Sequence, residues 1–151
     1  MLGKRSDFEK RYVTDQTLQD VVQDIDSVEE KIKSAVSSRD MLQKLISKMF
    51  TANKSIHFGD KSIQVKSMSG EDIGLATLSS GEKHLLKILV ESLLIGDSSL
   101  IIDEPEISMH IDWQKDLVSS IRALNADAQL IFATHSPEIM ADISDDKIFR
   151  I

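Results

Sequence analysis

Residues 100–105 read LIIDEP, and this stretch determines how the second half of the chain is organised. Residues 99–102 form a short, mainly apolar run of the kind found in a parallel strand that is buried on both faces. A helical apolar pattern follows at 111–124, and a second apolar run occupies 130–133. Strand, crossover helix and strand make a βαβ unit, so these two strands are predicted to be parallel neighbours in an α/β fold.

Polar residues come directly after both predicted strands, where parallel sheets bind their ligands. Asp103 and Glu104 follow the first strand and His135 follows the second. Asp103 can hold a magnesium ion directly or through its water, and Glu104 can accept a proton from an attacking water or orient it. His135 could contact a phosphate or polarise the water. The simpler alternatives are an acidic turn in solvent and a hydrogen-bonded core or surface histidine.

A third motif, LSSGEK at residues 78–83, directly precedes a predicted helix over 82–95. Ser79 and Ser80 can cap this helix, and Gly81 would let a ligand approach the backbone. The free N–H groups and partial positive charge of a helix N-terminus suit a phosphate. The alternative is an ordinary cap, with Glu82 favourable in the first turn.

The first 52 residues contain one glycine and no proline, and their pattern is helical. Apolar residues alternate at spacings of four and three from residue 21, with Arg39 as the exception. The seam positions are Val21, Ile25, Val28, Ile32, Ala35, Arg39, Leu42, Ile46 and Met49. This spacing predicts a coiled coil, or an amphipathic helix packed on its own domain, with an interruption near Ser37-Ser38 as a further alternative.

The segments 55–58, 62–66 and 73–77 are short and partly alternating, and glycine-containing turns separate them. They predict two or three antiparallel strands, to which we assign no chemistry. The last residues, 147–151, have the pattern of a final strand.

The composition excludes several classes of protein. The chain of 151 residues carries 25 acidic and 18 basic side chains, and this net charge of −7 argues against a general nucleic-acid-binding domain. It contains no cysteine, which excludes disulfide frameworks, zinc fingers and thiol catalysis. No apolar stretch of membrane-spanning length and no signal peptide is recognised, so a cytoplasmic protein is the expectation.

Taken in order, the three motifs resemble the second half of an ABC-type ATPase head. Residues 78–83 look like the signature loop, with LSSGE in place of LSGGQ, and residues 100–104 look like the Walker B strand. Glu104 resembles the catalytic glutamate of that strand, and His135 the switch histidine. Within the superfamily, DEPE at 103–106 and THSP at 134–137 are most similar to the RecF-like and OLD-like (SMC-related) ATPases, which act in DNA maintenance and anti-phage defence.

The resemblance implies a fold, a cofactor and partners. Residues 1–52 would be a helical arm or lobe, and residues 53–151 the C-terminal half of a head in the P-loop NTPase superfamily. ATP would be sandwiched between two heads, with Mg²⁺ at Asp103, and Glu104 and His135 in catalysis. Ser79, Ser80 and Gly81 would touch a partner's γ-phosphate. The partner would be a second ATPase head, in a homodimer or as a split partner carrying the P-loop, and DNA or a nuclease are further candidates.

The sequence departs from this pattern in four respects. Ser80 replaces a glycine of the usual signature and Glu82 replaces its glutamine. The position of the usual D-loop aspartate falls on His110, with Asp112 two residues later, so either can be its counterpart. No G-x-x-x-x-G-K-[S/T] phosphate loop occurs in the sequence. The chain alone is therefore expected to be inactive; the alternative function is a non-catalytic helical dimerisation or docking module that retains an ATPase-like sheet.

Overall fold

A computed structural model describes residues 3–50, 54–59 and 61–149. Its helices and strands are, in chain order, α1 (Gly3–Thr14), α2 (Gln16–Met49), β1 (Lys54–Phe58), β2 (Ile63–Ser67), α3 (Ser80–Leu94), β3 (Ser99–Asp103), α4 (Ile111–Leu124), β4 (Gln129–Ala133) and α5 (Pro137–Met140). Contacts divide the chain into two compact units, Met1–Ser37 and Ser38–Ile151. None of the helices in the described ranges is long and apolar enough to cross a membrane.

The first unit contains α1 and the beginning of α2. The interruption considered near Ser37-Ser38 does not occur, because α2 is continuous through these residues. The helices are instead interrupted at Asp15, whose carboxylate accepts a hydrogen bond from the Leu18 N–H at 3.2 Å. The seam side chains in this unit are exposed, from Val21 to Ile32.

The last turns of α2 belong to the second unit. Leu42, Ile46 and Met49 are buried in its core, and the indole of Trp113 on α4 donates a hydrogen bond to the Met49 carbonyl at 3.1 Å. This burial is why the two compact units divide within α2; the domain boundary near residue 52 stays a prediction. The change of pattern predicted there falls on residues 51–53, which are outside the described ranges.

Strands β1 and β2 form the predicted antiparallel hairpin, in which Ile56 lies opposite Val65 and both are buried. The third strand, considered over 73–77, does not form: it is represented only by an isolated bridge between Lys66 and Asp72. The reason is local turn chemistry. Gly74 has a positive φ of 70°, its N–H donates to the Asp72 carboxylate, and a 3-10 turn follows at Leu75–Thr77.

Strands β3 and β4 are parallel neighbours, as predicted, with α4 as the crossover helix. The α/β expectation is confirmed at this level. Leu100 and Leu130 lie opposite each other and contribute to the core. The expectation that both faces of the first strand are buried is wrong, since Ile101 on the other face is 72% exposed and its neighbour Ile131 is 44% exposed. Within the described residues, apolar packing covers one face of this sheet.

The final strand predicted over 147–151 is also not observed in the part of it that is described. Lys147 ends a 3-10 turn that begins at Asp145, and residues 148 and 149 belong to no strand. Residues 150 and 151 are outside the described ranges.

Candidate functional site

The parallel register of β3 and β4 brings the predicted acidic residues and the predicted histidine together. Asp103 is aligned with Ala133, and the Glu104 N–H donates to the Ala133 carbonyl at 2.8 Å, so the ladder continues one residue beyond β3. Nε2 of His135 lies 3.3 Å from Oε1 of Glu104. Asp103, Glu104, Glu106, Thr134 and His135 are called the strand-end site below.

Glu104 has an unusual backbone, with a φ of +47°. For a residue with a Cβ this left-handed conformation costs about 1–2 kcal/mol, and such strain clusters at functional sites. The conformation lies at the residue that the resemblance identifies as the catalytic glutamate. Glu104 therefore has both the strained backbone and the contact with His135.

Glu106 is a member of the strand-end site that the sequence reasoning did not single out. Its Oε2 accepts a hydrogen bond from the Thr134 hydroxyl at 2.6 Å, and its Oε1 accepts one from the His135 N–H at 2.7 Å. Desolvation raises the pKa of Glu106, but the hydrogen bonds led by that from Thr134 outweigh it and hold this pKa below its ordinary value. Glu106 lies in the DEPE motif, and its donors Thr134 and His135 lie in the THSP motif. The sequence does not reveal these bonds because they join residues far apart along the chain.

The loop after β4 is also tied to α4. The buried hydroxyl of Ser136 donates to Oε1 of Gln114 at 2.7 Å, and Nε2 of Gln114 donates to the Met109 carbonyl at 2.9 Å. Ser136 is the N-cap of α5. The backbone that presents His135 is therefore held on both sides.

The start of α3 (residues 78–83) has the predicted cap. Ser79 is the N-cap: its hydroxyl accepts from the Glu82 N–H at 3.2 Å, while the Glu82 carboxylate accepts from the Ser79 N–H at 2.6 Å. The ammonium of Lys54 on β1 lies 2.8 Å from the same carboxylate. Desolvation raises the pKa of Glu82. The hydrogen bond and positive charge of Lys54, together with the hydrogen bonds from Ser79, outweigh desolvation and lower this pKa overall.

Gly81 is required at this helix start by packing within the chain. A Cβ at this position would lie 1.9 Å from the carbonyl oxygen of Ser108. The sequence predicts that Gly81 lets a ligand approach the backbone, but the backbone of Ser108 occupies this space. Ser108 itself has a φ of +60°. Ser79 and Ser80 are exposed. The α3 start therefore lies directly against the turn that follows Glu106.

The two candidates for the D-loop residue lie beside each other at the start of α4. His110 is the N-cap, and its Nδ1 accepts from the Asp112 N–H at 3.3 Å. Nδ1 of His110 is also 3.4 Å from the Asp112 carboxylate, and both side chains are exposed. Neither position is distinguished as the D-loop counterpart by this geometry.

Asp103 has the properties of a magnesium ligand. Its side chain is exposed, and it makes no hydrogen bond or ion pair with any residue in the described ranges. Magnesium is commonly held by one or two carboxylates together with waters and substrate phosphates. A single free carboxylate at a strand end fits this mode, whereas the described residues contain no cluster of three or more potential ligands.

Comparisons with known proteins agree with the motifs. The family model described as "AAA domain, putative AbiEii toxin, Type IV TA system" matches residues 4–141. The chain is 27% identical over 93 residues to the retron Vc95 probable ATPase of Vibrio cholerae, a match covering 53% of this chain and 18% of that protein. It is 29% identical over 108 residues to the DNA double-strand break repair Rad50 ATPase of Sulfolobus acidocaldarius, covering 68% of this chain and 12% of that protein.

A third relative, the retron Ec83 probable ATPase of Escherichia coli, is 24% identical over 92 residues, which are 52% of this chain and 17% of that protein. The chain thus spans less than a fifth of the length of these relatives. The family match, by contrast, covers most of the chain and contains all three motifs. This protein belongs to that AAA-domain family, among the ABC-type, SMC-related ATPases that its motifs resemble.

Proposed function

We propose that this chain supplies the metal-binding, water-activating and signature residues of an ABC-type ATPase head, and that a P-loop half completes the site. The observation that carries the proposal is the contact between Glu104 and His135, 3.3 Å apart at the ends of two parallel strands. Asp103 is the adjacent free carboxylate. Phosphoryl transfer depends mainly on positioning and on stabilisation of charge, and these residues can supply both.

Each residue has a distinct role in this proposal. Asp103 holds Mg²⁺, which when bound neutralises charge on the nucleotide phosphates. Glu104 orients the attacking water and accepts its proton, and His135 lies beside Glu104, facing the γ-phosphate. Ser79 and Ser80, which are exposed at the α3 start, contact the γ-phosphate of the nucleotide held by a second head, whereas Gly81 packs against the backbone of Ser108.

The uncovered face of the β3–β4 sheet supports completion by a second segment. Ile101 and Ile131 are adjacent on this face, and both are exposed. A buried apolar side chain of this size contributes about 1.5–3 kcal/mol, so covering the pair would add appreciably to binding. We assign this face to the P-loop half, because the chain's own sequence contains no phosphate loop.

The biological setting that we propose is DNA maintenance or anti-phage defence. The support is the name of the family and the names of the retron and Rad50 relatives. In this setting the completed head would pair with a second head, and DNA or a nuclease would be the further partner.

The test is to assay ATP hydrolysis by the chain alone and by the chain joined to a P-loop half of the same family. We expect no turnover above buffer from the chain alone, because nothing in it supplies the lysine and backbone cradle of a P-loop. The completed head should hydrolyse ATP, and Asp103→Asn and Glu104→Gln should each remove that activity. Asp142→Asn, on an exposed residue outside the motifs, is the matched control and should leave it unchanged. Turnover by the chain alone that depends on Glu104 would contradict the proposal.

A further inference from the structure

One carboxylate joins the two loops of the strand-end site. Glu106 follows β3 by three residues, and its two oxygens accept from two consecutive residues after β4. Oε2 accepts from the Thr134 hydroxyl at 2.6 Å, and Oε1 accepts from the His135 backbone N–H at 2.7 Å. Hydrogen bonds to an ionised carboxylate are short and roughly twice as strong as those between neutral groups.

The Thr134 hydroxyl extends this connection by one residue. It donates to Glu106 and at the same time accepts from the Ser136 N–H at 3.0 Å. Three successive residues, 134 to 136, are thereby oriented by a single carboxylate, directly or through one hydroxyl. The conformation of the loop at His135 therefore depends on Glu106, while the bond from Ser136 to Gln114 holds the far end of the loop.

Packing does not hold the His135 side chain. Its imidazole is 90% exposed, so its position relative to Glu104 depends on the backbone that carries it. That backbone donates its N–H to Glu106. On the other side, the Glu106 carbonyl accepts from the Met109 N–H at 2.9 Å and the Glu104 carbonyl accepts from the Ile107 N–H at 3.1 Å, which fix the turn containing both acids.

We propose that Glu106 is a positioning residue that holds the His135 loop against the Glu104 turn and so keeps His135 and Glu104 in contact. The part of this proposal that concerns catalysis rests on the proposed function. Glu106 has no assigned contact with the nucleotide; it acts on His135 through the backbone of residue 135, and its carboxyl also interacts with the Glu104 side chain. A displacement of about 1 Å at a reacting group can reduce a rate about 100-fold, so the loss of this contact is expected to reduce turnover strongly.

The first test measures amide hydrogen exchange by NMR in the chain as it exists. Glu106→Ala removes the acceptor of the His135 N–H, and exchange at this amide should accelerate about tenfold or more, since hydrogen bonds to charged groups carry at least that equilibrium factor. Thr134→Val should accelerate exchange at Ser136, which loses its acceptor, while His135 keeps its bond to Oε1 of Glu106. The two variants should therefore affect different amides, His135 in Glu106→Ala and Ser136 in Thr134→Val, which separates the bond at Oε1 of Glu106 from the bonds of the Thr134 hydroxyl.

Two controls separate local loosening from unfolding. Glu91→Ala removes an exposed glutamate that pairs with Lys87, and it should change neither amide. The amides of Leu117 and Ile121 in the buried part of α4 report global unfolding and should remain protected in every variant. Unchanged exchange at His135 in Glu106→Ala, with these core amides protected, would overturn the positioning role.

The second test uses the completed head and separates this proposal from the proposed function. Glu106→Ala should lower kcat by about 10- to 100-fold and leave KM for ATP unchanged, because the residue positions a group without binding nucleotide. Glu106→Gln, whose amide oxygen can still accept from the His135 N–H, should restore part of the rate. An active wild-type head with an unaffected Glu106→Ala variant overturns the positioning role alone. A completed wild-type head without turnover overturns the proposed function, and the expected effect of Glu106 on turnover with it, while the exchange data still test the loop contact.

Discussion

The α3 start and the strand-end site both carry motif residues, but different interactions hold them in place. At the α3 start, Gly81 lies against the backbone of Ser108, and a capping box with Lys54 fixes Glu82. At the strand-end site, hydrogen bonds to Glu106 hold an exposed histidine beside a strained glutamate. Substitutions at the α3 start should therefore alter folding, and substitutions at the strand-end site should alter geometry and chemistry with less effect on folding.

The largest expected effect on stability is that of Gly81→Ala. The added Cβ would meet the Ser108 carbonyl oxygen at 1.9 Å, so the backbone of one segment must move. Overpacking of this kind typically costs about 1–3 kcal/mol, and we expect a loss of about 3 kcal/mol or more because the obstacle is backbone. Urea denaturation monitored by circular dichroism measures it.

Gly70→Ala is the comparison for this substitution, since it adds backbone strain without a close contact. Unlike Gly81, which lies in the first turn of α3, Gly70 has a φ of +84° that disfavours alanine, but nothing lies within 4 Å of its added Cβ. Its cost should be limited to the strain of about 1–2 kcal/mol. Because Gly81 has no such backbone strain, an unchanged stability of Gly81→Ala would show that the contact with Ser108 has no energetic weight.

The next effect tests the charge at the α3 start. Lys54→Met removes the cation beside Glu82 and a donor to the Thr77 carbonyl, and should destabilise the chain by about 1–2 kcal/mol at neutral pH. The pKa of Glu82 is held below its ordinary value of 4.5 in the folded chain, so its contribution is present above that pH and is lost as the pH falls through the folded pKa.

The variant should therefore lose less stability on acidification than the parent chain. Parallel unfolding curves between neutral pH and pH 3 give the comparison, with Lys61→Met on the exposed surface as the control. Glu106, whose pKa is also lowered, contributes to acid sensitivity in the same direction in both chains and does not alter their difference. An unchanged pH dependence in Lys54→Met would contradict the role of Lys54.

The smallest effect, and one of opposite sign, is expected at the strand-end site. Glu104→Gly should stabilise the chain by up to about 1 kcal/mol, because glycine adopts the φ of +47° without strain while its greater entropy in the unfolded chain offsets part of the gain. The same variant should eliminate turnover in the completed head. A destabilised Glu104→Gly would show that the Glu104 side chain contributes more to folding than its backbone strain costs.

Local patterns allowed much of this fold to be predicted. The apolar spacing located α4 at its observed bounds, the order strand–helix–strand predicted the parallel pair, and Ser79 with Glu82 formed the expected cap. These features depend on residues close together in sequence, or on a topological rule for connections. They also placed Glu104 near His135.

The features that could not be predicted depend on contacts between distant segments. The carboxylate of Glu106 accepts hydrogen bonds from residues that lie 28 and 29 positions further along the chain. Gly81 is constrained by the Ser108 carbonyl of another loop. The exposure of Ile101 could not be predicted either, because an apolar run indicates burial without indicating which segment provides the cover. The roles of Asp103, Glu104 and His135 in catalysis remain predictions.

The most direct measurement of the central claim is sedimentation of the completed head with ATP and Mg²⁺. Glu104→Gln should bind ATP, stop turning over and accumulate as a dimer, since the amide keeps the shape of the side chain but removes the group that activates water, a contribution of about 10²–10⁴-fold. Ser79→Arg should remain monomeric with nucleotide bound, because it places a bulky cation where a partner's γ-phosphate approaches the α3 start. Ser79→Ala removes the cap and one hydroxyl at the γ-phosphate but adds neither bulk nor charge, so it should still dimerise through Ser80. A monomeric Glu104→Gln head, or a Ser79→Arg head that dimerises normally, would contradict the account and favour the non-catalytic docking module.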